Sequence, residues 1–399
     1  MTSRKSLGVT FWATGWHILR SAIVAFCVVF RISVSTAGEP PARTSPLDAL
    51  QSRDLPGNLR FRPPPELVAV LNRPVSYLYS VKFSADSKWL ALGDGTRAVL
   101  YDTANLGTPL ILKGHQGTSI QSLVFSPKST QLASGDNTGQ IRLWDLTQKT
   151  AIEQFRLSLA SPAQSIDLAY APDGQTLVAC GAGAERHITV WDLSKEAPTL
   201  RGDVKHPPAA GRDIIVNDEH IAFAPDGKAF ATWGQDISNG YAASESSRLT
   251  LWDASKLSEI ASISLLRTPR AFAFSPDGRS LAVSDEESFT YARLALLDVK
   301  EKELVLRRAL SDEQPRSELV YALSFGPDAR RLITAQANGL VVVWDIATGK
   351  TERTIRLPIG VFRADLTQDG RYLAVANRAG SVLILRVASA DRADVVEKQ

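Results

Sequence analysis

Short apolar runs punctuated by turn residues recur along most of the chain, and the fullest copy occupies 114–145. Residues 120–125 form an apolar-rich run, followed by the turn Ser126, Pro127, Lys128 and Ser129. A second run covers 131–135 and is followed by a turn over 136–139. Ile141, Leu143 and Trp144 make a third run that ends at Asp145. Runs this short between Pro, Gly, Asn and Asp are strands, and three in succession predict an antiparallel meander. Along the third run Ile141 and Leu143 share one face, and Arg142 and Trp144 the other. Large side chains on both faces fit a sheet covered on both sides.

The unit repeats. Strands ending in a Pro-Asp-Gly turn occur at 170–174, 223–227 and 274–278, with divergent copies at 83–87, 325–329 and 366–370. Pro presets φ for such a turn and Gly tolerates the positive φ that closes it. Each copy runs through a small apolar strand to a second turn, with Gly139, Gly339 and Gly380 at three of these. Closing strands end in Trp144 and Asp145, Trp191 and Asp192, Trp252 and Asp253, and Trp344 and Asp345, or in the variants Tyr101-Asp102 and Leu297-Asp298. Five intervals separate Asp102 from Asp345, a mean period of about 49 residues, which is a propeller-blade period.

In order and spacing these motifs resemble the WD-repeat family over roughly 65–387. The resemblance implies an all-β fold, a seven-bladed β-propeller of four-stranded antiparallel blades. The last blade, 362–387, supplies three strands, so 66–71 is expected to complete it as an N-terminal closing strand, removing exposed sheet edges. Many WD repeats bury a hydrogen-bonded set of His, Ser or Thr, Asp and Trp. The resemblance places such a set at His115, Ser134 and Trp144, with Thr138 at the Asp position.

Ahead of the propeller, 1–37 reads as an export segment. Arg4 and Lys5 precede the apolar run 21–30, and Ser35, Thr36 and Ala37 look like a cleavage site. The run is short for a bilayer crossing, which favours a cleaved signal, so the expected location is the periplasm or cell envelope of a bacterium, with an uncleaved membrane anchor as the alternative. Residues 38–65 carry seven prolines and read as an extended linker, and 388–399 as a tail.

Composition narrows the function. The 399 residues are 44% hydrophobic and 22% charged, with a formal net charge of +3. Subtracting Arg4, Lys5, Arg20 and Arg31, which share their leader with no acid, turns +3 into −1 for the body. A near-neutral body argues against nucleic acid as the partner. Cys180 is the single cysteine outside the leader, so no internal disulfide is expected. The five His are scattered, and no zinc-protease, paired-cysteine or phosphate-loop motif occurs. Asp285, Glu286 and Glu287 read as a solvated acidic turn. No cofactor, metal or catalytic residue is assigned.

The resemblance implies a monomeric, non-enzymatic interaction scaffold for a protein partner. The alternative is an exported propeller acting as an envelope ligand sensor or a lactonase-like hydrolase. In this family, blade-to-blade loops and second-to-third-strand loops share a top face. The expanded loops 205–219, 234–247, 285–292 and 307–318 all belong there, so Arg212, Asp213, Asp236, Tyr241, Glu286 and Tyr291 are the candidate partner contacts.

Overall fold

The computed structural model describes residues 45–49, 64–72, 78–147, 152–159, 163–183, 187–205, 220–235, 247–265, 270–288, 291–310, 319–377 and 380–387. Residues 44–399 form one compact unit. The unit Met1–Arg43, where the export segment is expected, lies outside the described residues.

Seven four-stranded antiparallel sheets follow one another. Blade one is built from Leu78–Phe83, Trp89–Asp94, Arg97–Asp102 and Leu110–Lys113, and blade two from Ile120–Phe125, Gln131–Asp136, Gln140–Asp145 and Ile152–Ser158. Blades three to six start at Ala163, His220, Phe272 and Val320 and end at Lys205, Leu265, Leu310 and Arg356. Blade seven takes Arg363–Leu366, Tyr372–Ala376 and Ser381–Arg386 from the end of the chain and Leu67–Asn72 from its start. The ring therefore closes through the N-terminal strand, as expected.

Seven clusters of buried apolar side chains fill the seven seams between adjacent blades. Strand alternation assigns each residue its seam. Ile141 and Leu143 pack toward blade three, while Trp144 from the same strand packs toward blade one. Trp191, Trp252 and Trp344 likewise face the preceding blade. A register shift between third and fourth strands sits beside this position in blades two to six, including blade five, where Leu297 replaces Trp.

The Pro-Asp-Gly turns nest around the opposite face. A Cβ on Gly370, at φ 71°, would lie 2.6 Å from Cδ of Pro327 in the preceding blade. Where the glycine is missing, the conformation persists: Ser87, Ser129 and Ala329 hold φ of 57°, 58° and 55°. The Ser129 hydroxyl then accepts a hydrogen bond from the backbone N–H of Asp86 in blade one (3.1 Å).

Two expectations are corrected. The acidic member of the buried set in blade two is Asp136, not Thr138. Asp136 ends its strand, so its carboxylate reaches His115 Nδ1 (2.8 Å), while Thr138 caps the same carboxylate from the turn. His115 Nε2 meets Ser134 Oγ (2.7 Å), which accepts from Trp144 Nε1 (2.8 Å). Prolines also do not keep the whole linker extended. Pro46–Ala49 is a 3-10 turn, because Pro fits the first position of a helical turn and Ser45 and Asp48 cap it reciprocally. Leu47 is fully buried between blades seven and one. Asp48 pairs with Arg371 and accepts from the Tyr372 hydroxyl (2.6 Å).

Candidate functional site

The strand that opens each blade lies innermost, and the seven together wall a central channel of about 370 Å³. These strands begin at the face that carries the second-to-third-strand turns, as the bond from Ile120 N to Gly95 O (2.7 Å) shows between blades two and one. This is the top face.

Most polar groups in the channel join one blade to the next. Ser80 Oγ accepts from Leu123 N (3.1 Å), and Ser122 Oγ accepts from Leu168 N (3.2 Å) and donates to Asp167 (2.6 Å). Asp167 in turn accepts from Ile221 N (3.1 Å), with His220 Nδ1 3.6 Å away. Across the channel Asp365 accepts from Phe83 N and from Lys82 Nζ, both at 2.8 Å. These side chains replace the backbone ladder that tangential neighbours cannot form.

The electrostatics follow the pairing. Burial opposes the charge of Asp167, but the His220 ring, the Ser122 hydroxyl and the Ile221 N–H outweigh it and hold the carboxyl below its usual range. The Asp365 carboxylate holds the Lys82 ammonium above its ordinary value, against the effect of burial. Ser122, Asp167 and His220 look superficially like a hydrolytic set, yet the carboxylate stands between the hydroxyl and the ring. Nucleophile activation needs the base on the hydroxyl, and a carboxylate with a lowered pKa is a weak base. The arrangement braces strands.

At the top end the channel opens on an aromatic and cationic arc. Phe362 is the hub, with Tyr79 of blade one edge-on to it (5.9 Å, 70°) and Tyr321 of blade six 5.8 Å away. The Arg363 guanidinium lies 4.5 Å from the Phe362 ring and donates to Tyr79 O (3.0 Å). The Arg270 guanidinium, from the entry to blade five, lies 5.3 Å from the Tyr321 ring. Tyr79, Arg270, Tyr321 and Arg363 are all partly exposed.

Arg212, Asp213, Asp236 and Tyr241 lie outside the described residues. Glu286 and Tyr291 are not in a loop: strands Ser280–Ser288 and Tyr291–Lys300 continue as a hairpin, with Glu286 opposite Ala292 and Ser288 opposite Tyr291. The acidic triplet 285–287 is therefore strand, its charged residues extending a pairing that apolar periodicity does not reveal. Loop 307–318 is also shorter than expected, since strand Glu303–Leu310 includes Arg307. The channel residues were missed in sequence because each belongs to a different repeat. One signal was present: the residues entering the innermost strands include Tyr79, Arg270, Tyr321 and Phe362, bulky or charged where a structural filler would be small.

Cys180 is buried in the seam between blades three and four. His187 pairs with Asp203 at 2.7 Å in the outer part of blade three. Among the described residues no group of His, Cys, Asp and Glu could hold a metal ion, and no helix is long and apolar enough to cross a membrane.

Comparison with known proteins agrees with the repeat reading. The family described as WD domain, G-beta repeat matches residues 107–145, 156–192 and 310–345, and each match ends at a Trp-Asp pair. WD repeat-containing protein 1 of Xenopus tropicalis is 24% identical over 58% of this chain and 34% of its own length. Actin-interacting protein 1 of Drosophila melanogaster is 22% identical over 66% of this chain and 40% of its own length. The chain thus spans about a third to two-fifths of these relatives. The β-propeller domain of Cps50 (Swd1) from Myceliophteria thermophila superposes with a TM-score of 0.62 at 16% identity, covering 80% of this chain and 99% of that domain. It shares the fold. The chain is a seven-bladed propeller carrying WD repeats.

Proposed function

We propose that this propeller is a non-enzymatic scaffold that binds a protein partner through its top face. The observation that carries the reading is the division of labour in the channel. The polar groups along its walls brace neighbouring strands, while the partly exposed arc at the top mouth combines Arg and Tyr, residue types enriched at the energetic centres of protein interfaces. Arg212, Asp213, Asp236, Tyr241, Glu286 and Tyr291, which neighbour blades four and five in the sequence, are proposed as further contacts. The name of the Drosophila relative reports an interaction with actin; we carry over the binding of a protein and not that partner.

We also propose export, with cleavage near Ala37, on the strength of Arg4, Lys5 and the apolar run that follows. Affinity capture from the native envelope fraction tests both readings. Capture of a partner by the whole chain and its loss when 234–247 is shortened support the scaffold. Unchanged capture by the shortened chain sinks the top-face assignment. Mass spectrometry of the same sample reads the first residue of the mature chain, and an intact 1–37 contradicts cleavage.

A further inference from the structure

We propose that the foot of the seam between blades seven and one is a peptide-binding site, occupied in this chain by its own residues 45–49, which give way to a partner segment of the same chemistry: an aliphatic side chain followed by an aspartate on a single capped turn. The site lies on the face of the Pro-Asp-Gly turns, away from the top mouth, and the inference goes beyond the scaffold reading without resting on it.

Two side chains anchor the segment. Leu47 is fully buried in a cluster that includes Tyr101 of blade one and Tyr372 of blade seven. Asp48 Oδ1 receives the Arg371 guanidinium and the Tyr372 hydroxyl, the latter at 2.6 Å. The polar side of the site belongs to blade seven. Tyr372 and Arg386 stand opposite each other on adjacent strands, and the Tyr372 hydroxyl accepts from Arg386 Nε (3.2 Å) and Nη2 (3.0 Å). The guanidinium groups of Arg371 and Arg386 each lie 5.5 Å from the Tyr372 ring. Cations packed on an aromatic ring are positioned before the carboxylate arrives, and they select an acid over a neutral side chain.

The backbone of the segment is satisfied within itself. Ser45 N donates to the Asp48 carboxylate (2.8 Å), Asp48 N to Ser45 O (2.9 Å) and Leu47 N to Ser45 Oγ (3.4 Å). Among the described residues, Asp48 alone hydrogen-bonds this segment to the propeller. The closing strand Leu67–Asn72 is held differently, by a backbone ladder to Ser381–Arg386. A turn that keeps its own bonds, anchored by one apolar and one charged side chain, is bound as a short peptide ligand is bound, and its departure breaks no ladder. Because it is tethered, it competes at an effective concentration on the order of 1 mM. An outside peptide with an affinity of about 0.1 mM for the open site is then weakened by a factor of 1 + 1/0.1, or about elevenfold.

The test uses fluorescein-labelled Thr-Ser-Pro-Leu-Asp-Ala-Leu, the sequence of 44–50, read by fluorescence anisotropy. It is titrated with the whole chain and with a whole-chain variant carrying Leu47→Ala and Asp48→Asn. The variant is expected to bind the peptide about tenfold tighter than the unaltered chain. Peptides with Ala for Leu, or Asn for Asp, should bind the variant at least about tenfold more weakly. Adding Tyr372→Phe to the variant should weaken the parent peptide about threefold or more. Far-UV circular dichroism controls for folding. An absence of binding to the folded variant up to about 1 mM, the weak end of specific recognition, overturns the proposal. So does equal binding to both chains, since the peptide then sits elsewhere, and so does an Asn peptide as good as the Asp one. Should the double variant not fold, Asp48→Asn alone decides, with a gain of at least about threefold expected and no gain overturning the proposal. Dimerisation of the unaltered chain in sedimentation velocity, abolished in the variant, assigns the site to the segment of a second copy and overturns the outside partner.

Discussion

Ser134 is the joint of the buried polar set in blade two, and Ser134→Ala tests how much that set contributes. Its hydroxyl accepts from Trp144 Nε1 at 2.8 Å and lies 2.7 Å from His115 Nε2. With His115 Nδ1–H donating to Asp136, Nε2 is left to accept the Ser134 proton. The direction of the relay is then fixed from Trp144 to Asp136. Ser134, Trp144, His115 and Asp136 are all buried, so water cannot replace the lost partner. Each net hydrogen bond is worth roughly 1 kcal/mol, and a buried N–H left unpaired costs about 1–3 kcal/mol more. Ser134→Ala should therefore destabilise the chain by about 2–4 kcal/mol. Blade six supplies the comparison, because Thr334 holds Trp344 by one bond of 3.0 Å. Thr334→Val keeps the shape, removes that bond and should cost about 1–3 kcal/mol. Urea unfolding followed by Trp fluorescence and far-UV circular dichroism, with coincident transitions and an unchanged slope, gives both values. A loss below about 0.5 kcal/mol for Ser134→Ala would refute the reasoning, since it would mean that the set closes around the gap.

The same set predicts acid sensitivity. Burial opposes the charge of Asp136, but its bonds from His115 and Thr138 prevail and hold the carboxyl well below the usual range. Its contribution is complete above the unfolded value of about 4 and drains away as pH falls toward the folded one, so Asp136→Asn should flatten the decline of the urea midpoint between about pH 5 and 2; parallel declines would contradict this. In the nested turns Gly370→Ala should destabilise by about 1–2 kcal/mol through positive φ and the Pro327 contact, and Ala329→Gly should be neutral or stabilising by up to about 1 kcal/mol. Equal effects in calorimetry would remove the role given to φ. Deleting 1–72 strips Leu67–Asn72 from Ser381–Arg386 and opens a sheet edge, so the truncated chain should self-associate in size-exclusion chromatography; a stable monomer would show that closure is dispensable.

The repeat was legible because a blade is a local object. Ile141, Leu143 and Trp144 declare their faces by alternation alone, and the structure places them in the two seams so implied. The missing strand of the last blade was legible by subtraction, since Leu67–Asn72 was the apolar run without a repeat of its own. Less local chemistry was read wrongly. The resemblance puts Thr138, inside the turn, at the Asp position, whereas the acid that bonds His115 is Asp136, the last residue of its strand. Leu47 and Asp48 gave no signal in a proline-rich stretch, because what orders them is a site built by Arg371 and Tyr372, more than 300 residues away.

The channel marks the limit of reading one repeat at a time. Asp167 is one residue of an apolar strand until ring closure sets Ser122 on one side and Ile221 N on the other. Lys82 and Asp365 are 283 residues apart and meet because the closed ring sets the innermost strands of blades one and seven side by side. Arg270, Tyr321, Phe362 and Tyr79 enter four successive innermost strands. Each invites the dull explanation that it is a solvated strand end. Ring geometry converts them into one surface, since equivalent positions of a closed repeat must converge on its axis. The residues to compare in such a chain are therefore those at the same register across blades, not those near one another in sequence. At this register bulky and cationic side chains occupy one arc, running from blade five round to blade one, and the departures from the repeat gather at the top mouth of the channel.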